Sequence, residues 1–94
     1  MKAAQLINGS LHVELFQTKV PGRAPEVDNS TPGIKHPAFV VKDVHAFVAE
    51  LRARGVNIVS VSPDRSGPIQ NAFIRDNSGN LIEFIQPLPG DAPF

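Results

Sequence analysis

The sequence predicts an α+β protein in which a β-hairpin precedes one βαβββ unit, and three observations predict it. Asn8-Gly9, set between two apolar-rich runs, is the strongest short hairpin signal. Val44, Phe47, Val48 and Leu51 recur at the i, i+3, i+4, i+7 spacing of a helix that buries one side. After that stripe, short β-rich segments separated by Gly, Pro, Asn and Ser give the order β-α-β-β-β from residue 34.

Residues 1–17 read as the hairpin, with a type I′ turn that needs positive φ at both Asn8 and Gly9. Residues 18–33, "TKVPGRAPEVDNSTPG", carry three prolines and two glycines with no apolar period, which is a linker composition. The unit spans 34–87 and a tail follows at 88–94. Its first strand is "IKHPAFVV", 34–41, where Pro37 must turn its missing N–H to an unpaired position and His36, Ala38 and Val40 share a face. Asp43 is a good helix N-cap, and Gly55 suits the C′ position after Arg52 and Arg54. "VNIVSVS" (56–62), "IQNAFIRD" (69–76) and "NLIEFIQ" (80–86) read as strands, with "PDRSGP" as a loop and "NSG" as a turn.

Composition narrows the chemistry. At 94 residues the chain is one small domain, burying roughly two-thirds of its unfolded surface. Nine basic against nine acidic residues leave no electrostatic footprint for nucleic acid. No stretch approaches the roughly 18 to 20 apolar residues of a membrane span, and "MKAAQLINGSLHVELF" lacks the apolar run of a signal peptide, so a cytoplasmic protein is expected. With no cysteine, disulfides, thiolate nucleophiles and thiolate metal sites are out, and any metal needs His, Asp or Glu. Six Phe without Trp or Tyr disfavour an aromatic cage.

Glu83 interrupts the apolar run "SGNLIEFIQP". Taken alone it is a strand carboxylate facing water, since Leu81, Glu83 and Ile85 share one face and Ile82, Phe84 and Gln86 the other. Set side by side, "KAAQLI-NGS-LHVELFQ" and "NAFIRD-NSG-NLIEFIQ" read alike, with Glu14 standing where Glu83 does, so an internal repeat is the economical account. It is imperfect: Gly9 precedes Glu14 by five residues, Gly79 precedes Glu83 by four.

"GIKHPAFVVKDVHAFVAELRARGVNIV" followed by "AFIRDNSGNLIEFIQP", about residues 33–87, resembles one βαβββ module of the vicinal oxygen chelate superfamily, the glyoxalase, bleomycin-resistance and extradiol-dioxygenase group. His36 on the first strand, the Asp43-started helix ending in "LRARGV", and the "RDNSGNLIEF" hairpin carrying Glu83 bear the resemblance. "DNSGN" departs from it, because a proline and an acidic residue often precede the glycine in the family. The resemblance implies two modules paired into an eight-stranded cup, with a metal held by a first-strand residue and a last-strand glutamate from each. Residues 1–17 resemble only the last two strands of a preceding module.

Carried over residue by residue, the metal ligands are His36, Glu83 and Glu14, and the fourth has no counterpart. Glu83 and Glu14 are the candidate catalytic bases. One imidazole and two carboxylates suit zinc, nickel, manganese or iron(II). The implied activity is that of a metal-dependent lyase, isomerase or dioxygenase acting on a small molecule with vicinal oxygens. The alternatives are a metal-free protein that sequesters a ligand or antibiotic, and a shortened, inactive paralogue. Six strands do not close an eight-stranded cup, so a homodimer is expected to complete it, with Glu14 joining the other two ligands across chains. His12 reads as a strand-face polar residue, with substitution as a ligand the alternative, and His45 as a solvated helix residue. Lys35, Arg65 and Arg75 read as solvated cations, with contact to an anionic substrate the alternative and no choice among them made by spacing.

Overall fold

A computed structural model describes residues 2–22, 30, 32–63 and 69–87. The expected tail 88–94, Arg65 and the centre of the linker lie outside these. The described elements are β1 (Ala3–Asn8), β2 (Leu11–Phe16), β3 (Ala38–Val40), α1 (Val44–Ala53), β4 (Ile58–Val61), β5 (Gln70–Arg75) and β6 (Leu81–Gln86).

β1 and β2 form a separate two-stranded antiparallel sheet in which Asn8 pairs with Leu11. The loop is therefore Gly9-Ser10, displaced by one residue from the expected Asn8-Gly9. Gly9 has φ 60° and, among the described residues, no non-glycine has positive φ. A glycine alone in the left-handed region at the first loop position is the type II′ pattern, which frees Asn8 to stay in the strand.

The remaining strands form one mixed sheet in the order β3-β6-β5-β4, with β3 parallel to β6 and the other pairs antiparallel. β3 is shorter than the expected 34–41. Pro37 has no N–H to give, yet its carbonyl accepts from the Glu83 N–H at 3.0 Å, and Val41 N–H donates to Ile85 at 2.9 Å, so pairing runs past both ends of the strand. β4 starts at Ile58 because the helix cap uses Val56, and its register with β5 shifts between Ile58 and Ser60.

Both helix ends follow the sequence. Asp43 Oδ1 accepts from the Ala46 N–H at 3.1 Å. At the other end Gly55 N–H donates to Arg52 and Val56 N–H to Leu51, both at 3.0 Å, a Schellman motif with Gly55 at φ 82°. The apolar stripe then buries Val44 and Val48 against Ala72, with Val41, Ile58 and Val61 packed around them. Phe47 meets Phe84 at a ring separation of 4.7 Å, and Phe39 meets Phe84 at 6.2 Å. By strand alternation, this leaves Asn71, Phe73 and Glu83 on the side of the sheet away from the helix. Among the described residues no helix is long and apolar enough to cross a membrane.

Candidate functional site

The helix-free face of the sheet places an imidazole against a carboxylate. Phe73 lies directly opposite Glu83 in the β5-β6 register, and Ala38 lies opposite it in β3-β6. His36, two residues before Ala38, falls on the same face. Its Nε2 lies 3.0 Å from Glu83 Oε1. The His36 ring also stands edge-on to Phe73, 5.2 Å between centroids at 80°, a favoured aromatic geometry. Side-chain exposures of 27% for His36 and 14% for Glu83 leave the pair reachable yet held. An ionised carboxylate only accepts, so the ring nitrogen facing it carries a proton in this arrangement.

The second carboxylate oxygen is held as well. Asn71 Nδ2 donates to Glu83 Oε2 at 3.0 Å. Asn71 in turn is tied to Ser62 at the end of β4: its N–H donates to Ser62 Oγ at 2.9 Å, and the Ser62 N–H donates to the Asn71 carbonyl at 2.9 Å. His45 Nε2 lies 2.8 Å from the Ser62 carbonyl and donates to it, so His45 links helix to sheet and is half-buried rather than solvated. Sequence reasoning passed over Asn71 and Ser62, and read His45 as solvated. A signal for Asn71 exists, because asparagine is disfavoured in strand interiors and needs partners there.

Glu14 stands apart from this pair. Its partner is Gln5 Nε2 at 3.2 Å across the hairpin. It borders an open cleft of about 1290 Å³ between the hairpin and the unit, whose far wall includes Phe39, Phe47, Ile82 and Phe84. Those are helix-side residues, so within one chain Glu14 and the carboxylate of Glu83 lie on opposite sides of β6 and the three expected ligands do not converge. His12 is exposed on the same hairpin. Arg75 donates to the Gly79 carbonyl at 2.9 Å, a turn-holding role rather than one at the site.

Among the described residues, no three His, Asp or Glu side chains are grouped closely enough to hold a metal ion. His36 and Glu83 supply one nitrogen and one oxygen suited to a borderline divalent ion, and a complete set needs donors from elsewhere.

The sequence model of the Glyoxalase/Bleomycin resistance protein/Dioxygenase superfamily matches residues 1–84. The chain belongs to this superfamily. Within it, the chain is similar to Virulence protein STM3117 of Salmonella typhimurium, 32% identical over 85 residues that make up 86% of this chain and 58% of that protein. The crystal structure of that protein superposes with a TM-score of 0.62 over 89% of this chain and 69% of that one, at 31% identity. A glyoxalase family protein from Enterococcus faecalis gives a TM-score of 0.67 at 24% identity, covering 86% of this chain and 64% of that one. The fosfomycin resistance protein FosX from Listeria monocytogenes gives 0.65 at 17% identity, covering 93% and 67%. These last two likenesses concern the fold alone. The chain thus spans about three-fifths of the length of the relatives it matches.

Proposed function

We propose that the chain provides half of a divalent-cation site, His36 and Glu83, that binds a small molecule through two neighbouring oxygens in a lyase, isomerase or dioxygenase reaction. The observation that carries this reading is the 3.0 Å approach of His36 Nε2 to Glu83 Oε1 on the helix-free face. Two side chains 47 residues apart in the chain are brought together there, and the resemblance to the family implies a ligand role for both. A bound cation supplies Lewis-acid stabilisation of negative charge on the substrate oxygens. The chain's own residues do the rest. His36 and Glu83 hold the ligand positions, Phe73 walls the imidazole, and Glu83 is the carboxylate placed to accept a substrate proton.

A second copy of the chain supplies what one copy lacks. The hairpin leaves Leu6, Leu11 and Leu15 half-exposed on one face and Ile7 and Phe16 on the other, apolar surface that a second chain can cover. In the dimer, Glu14 of the partner is the carboxylate that joins the pair.

Metal analysis of protein purified without chelators, together with a Glu83→Gln variant, tests the reading. The expectation is near-stoichiometric zinc, nickel, manganese or iron in the wild type. A ligand counts for more than the 10- to 100-fold of an outer partner, so the variant should lose more than about 100-fold in affinity. Absence of metal from both, with no divalent stabilisation in a thermal shift, overturns it.

A metal-free protein that sequesters an organic ligand is the second reading, favoured by the mostly apolar cleft beside the hairpin. Thermal stabilisation by organic compounds alone, and none by divalent ions, selects it.

A further inference from the structure

We infer that Asn71 is a positioning residue that decides which oxygen of Glu83 is offered at the site, and that Ser62 seats Asn71 for this task; the role toward a cation rests on the metal reading above. A glutamate carboxylate turns easily about its last torsion, which has a broad, nearly two-fold profile. Left alone it presents either oxygen, or both. Here Oε2 accepts from Asn71 Nδ2 at 3.0 Å, while Oε1 faces His36 Nε2 at 3.0 Å. The Asn71 hydrogen bond therefore fixes the carboxylate so that a single oxygen, Oε1, is left to accept from the imidazole.

The asparagine is itself held in place. Its backbone exchanges hydrogen bonds with Ser62, N–H to Oγ and carbonyl to N–H, both at 2.9 Å. Its Oδ1 lies 3.2 Å from the Ser62 hydroxyl, which also sits 2.8 Å from the Ile69 carbonyl and is buried. Turning the amide over would set Oδ1 against the Glu83 carboxylate, two acceptors with no proton between them. The sheet thus contributes a fixed donor where a surface strand would offer water. An aspartate or an aliphatic residue at position 71 would leave Oε2 repelled or unheld.

The experiment compares wild type with Asn71→Leu, which keeps the approximate shape without the donor, and with the smaller Asn71→Ser, each checked for an intact thermal transition. Two readouts are taken: the His36 imidazole nitrogen shifts by NMR in metal-free protein, and Mn²⁺ affinity by calorimetry. The expected result is displaced His36 nitrogens and Mn²⁺ binding weakened about 10- to 100-fold, the range of an outer-shell partner. If folded variants bind Mn²⁺ as the wild type does, the positioning role is overturned while the metal reading stands. If the wild type takes up neither Mn²⁺ nor Zn²⁺, Ni²⁺ or Fe²⁺, the metal reading fails, and the NMR arm alone decides: moved His36 nitrogens support the positioning of Glu83, unmoved ones overturn it. Should both variants fail to fold, the Asn71 side-chain amide signals in Glu83→Gln replace them. Displaced signals support the contact, and unchanged ones overturn it.

Discussion

His36 and Glu83 meet at 3.0 Å although 47 residues separate them, because β3 and β6 lie parallel with Ala38 opposite Glu83. The contact couples two groups that need each other when no cation is present. Removing His36 leaves a mostly buried carboxylate with Asn71 as its remaining side-chain partner among the described residues. We expect His36→Ala to cost about 1 to 3 kcal/mol in urea unfolding of metal-free protein. The same change made in a Glu83→Gln background should cost less, with a coupling of about 0.5 to 3 kcal/mol. Additive costs would show that the pair is not coupled.

Acid sensitivity is predicted at the β5-β6 turn. Burial pushes the Asp76 carboxyl up, but hydrogen bonds from the Asn80 side chain and from backbone N–H groups of Asn80, Ser78 and Gly79 together hold it below its ordinary 3.8. The folded state therefore binds this proton less readily than the unfolded state. The stabilisation is present above pH 3.8 and is lost as pH falls through the folded value. Asp76→Asn should lower stability at pH 7 and flatten its decline in strong acid, as followed by thermal melts between neutral and acidic pH. An unchanged acid limb would refute this assignment.

At Gly55, an added Cβ meets nothing within 4 Å, so substitution costs only backbone strain at φ 82°. Gly55→Ala should destabilise by about 1 kcal/mol. Val48→Ala, which deletes methyl groups from a side chain 2% exposed, should cost about 2 kcal/mol. Urea midpoints for the two variants give the comparison, and the core change should be the larger.

The hairpin surface predicts an association equilibrium. Phe16 is 54% exposed in the single chain, and we expect Phe16→Glu to shift the protein from dimer to monomer in light scattering at micromolar concentration. A wild type already monomeric there rejects the second copy as the source of Glu14.

Much of the βαβββ unit was legible because its signals are local. Asp43, the Val44 to Leu51 stripe and Gly55 each announce one helix feature, and strand alternation alone placed Glu83 away from Phe84. What was misplaced depended on context. The hairpin turn moved by one residue because Gly9 alone adopts positive φ, a choice the dipeptide Asn-Gly leaves open. Within the candidate site, the His36 and Glu83 pairing followed from family resemblance joined to alternation, while the hydrogen bonds of Ser62, Asn71 and His45 did not. Those residues are separated by loops and a helix, and nothing in a one-dimensional pattern says which polar side chains a folded sheet will bring together. Glu14 shows the converse: a repeat in sequence put it beside Glu83 in kind, but the chain does not put it there in space.

The Glu83 N–H to Pro37 carbonyl bond fixes more than strand pairing. It sets which side of β6 each residue of "LIEF" occupies, and one added or deleted residue between Asn80 and Glu83 would exchange the sides, sending the carboxylate into the helix packing and Phe84 or Ile82 out of it. Variation can thus rework this site by exchanging side chains, whereas changes of length must be confined to the turns. The Gly79 hairpin, rather than the strand, is where an engineer has freedom to insert.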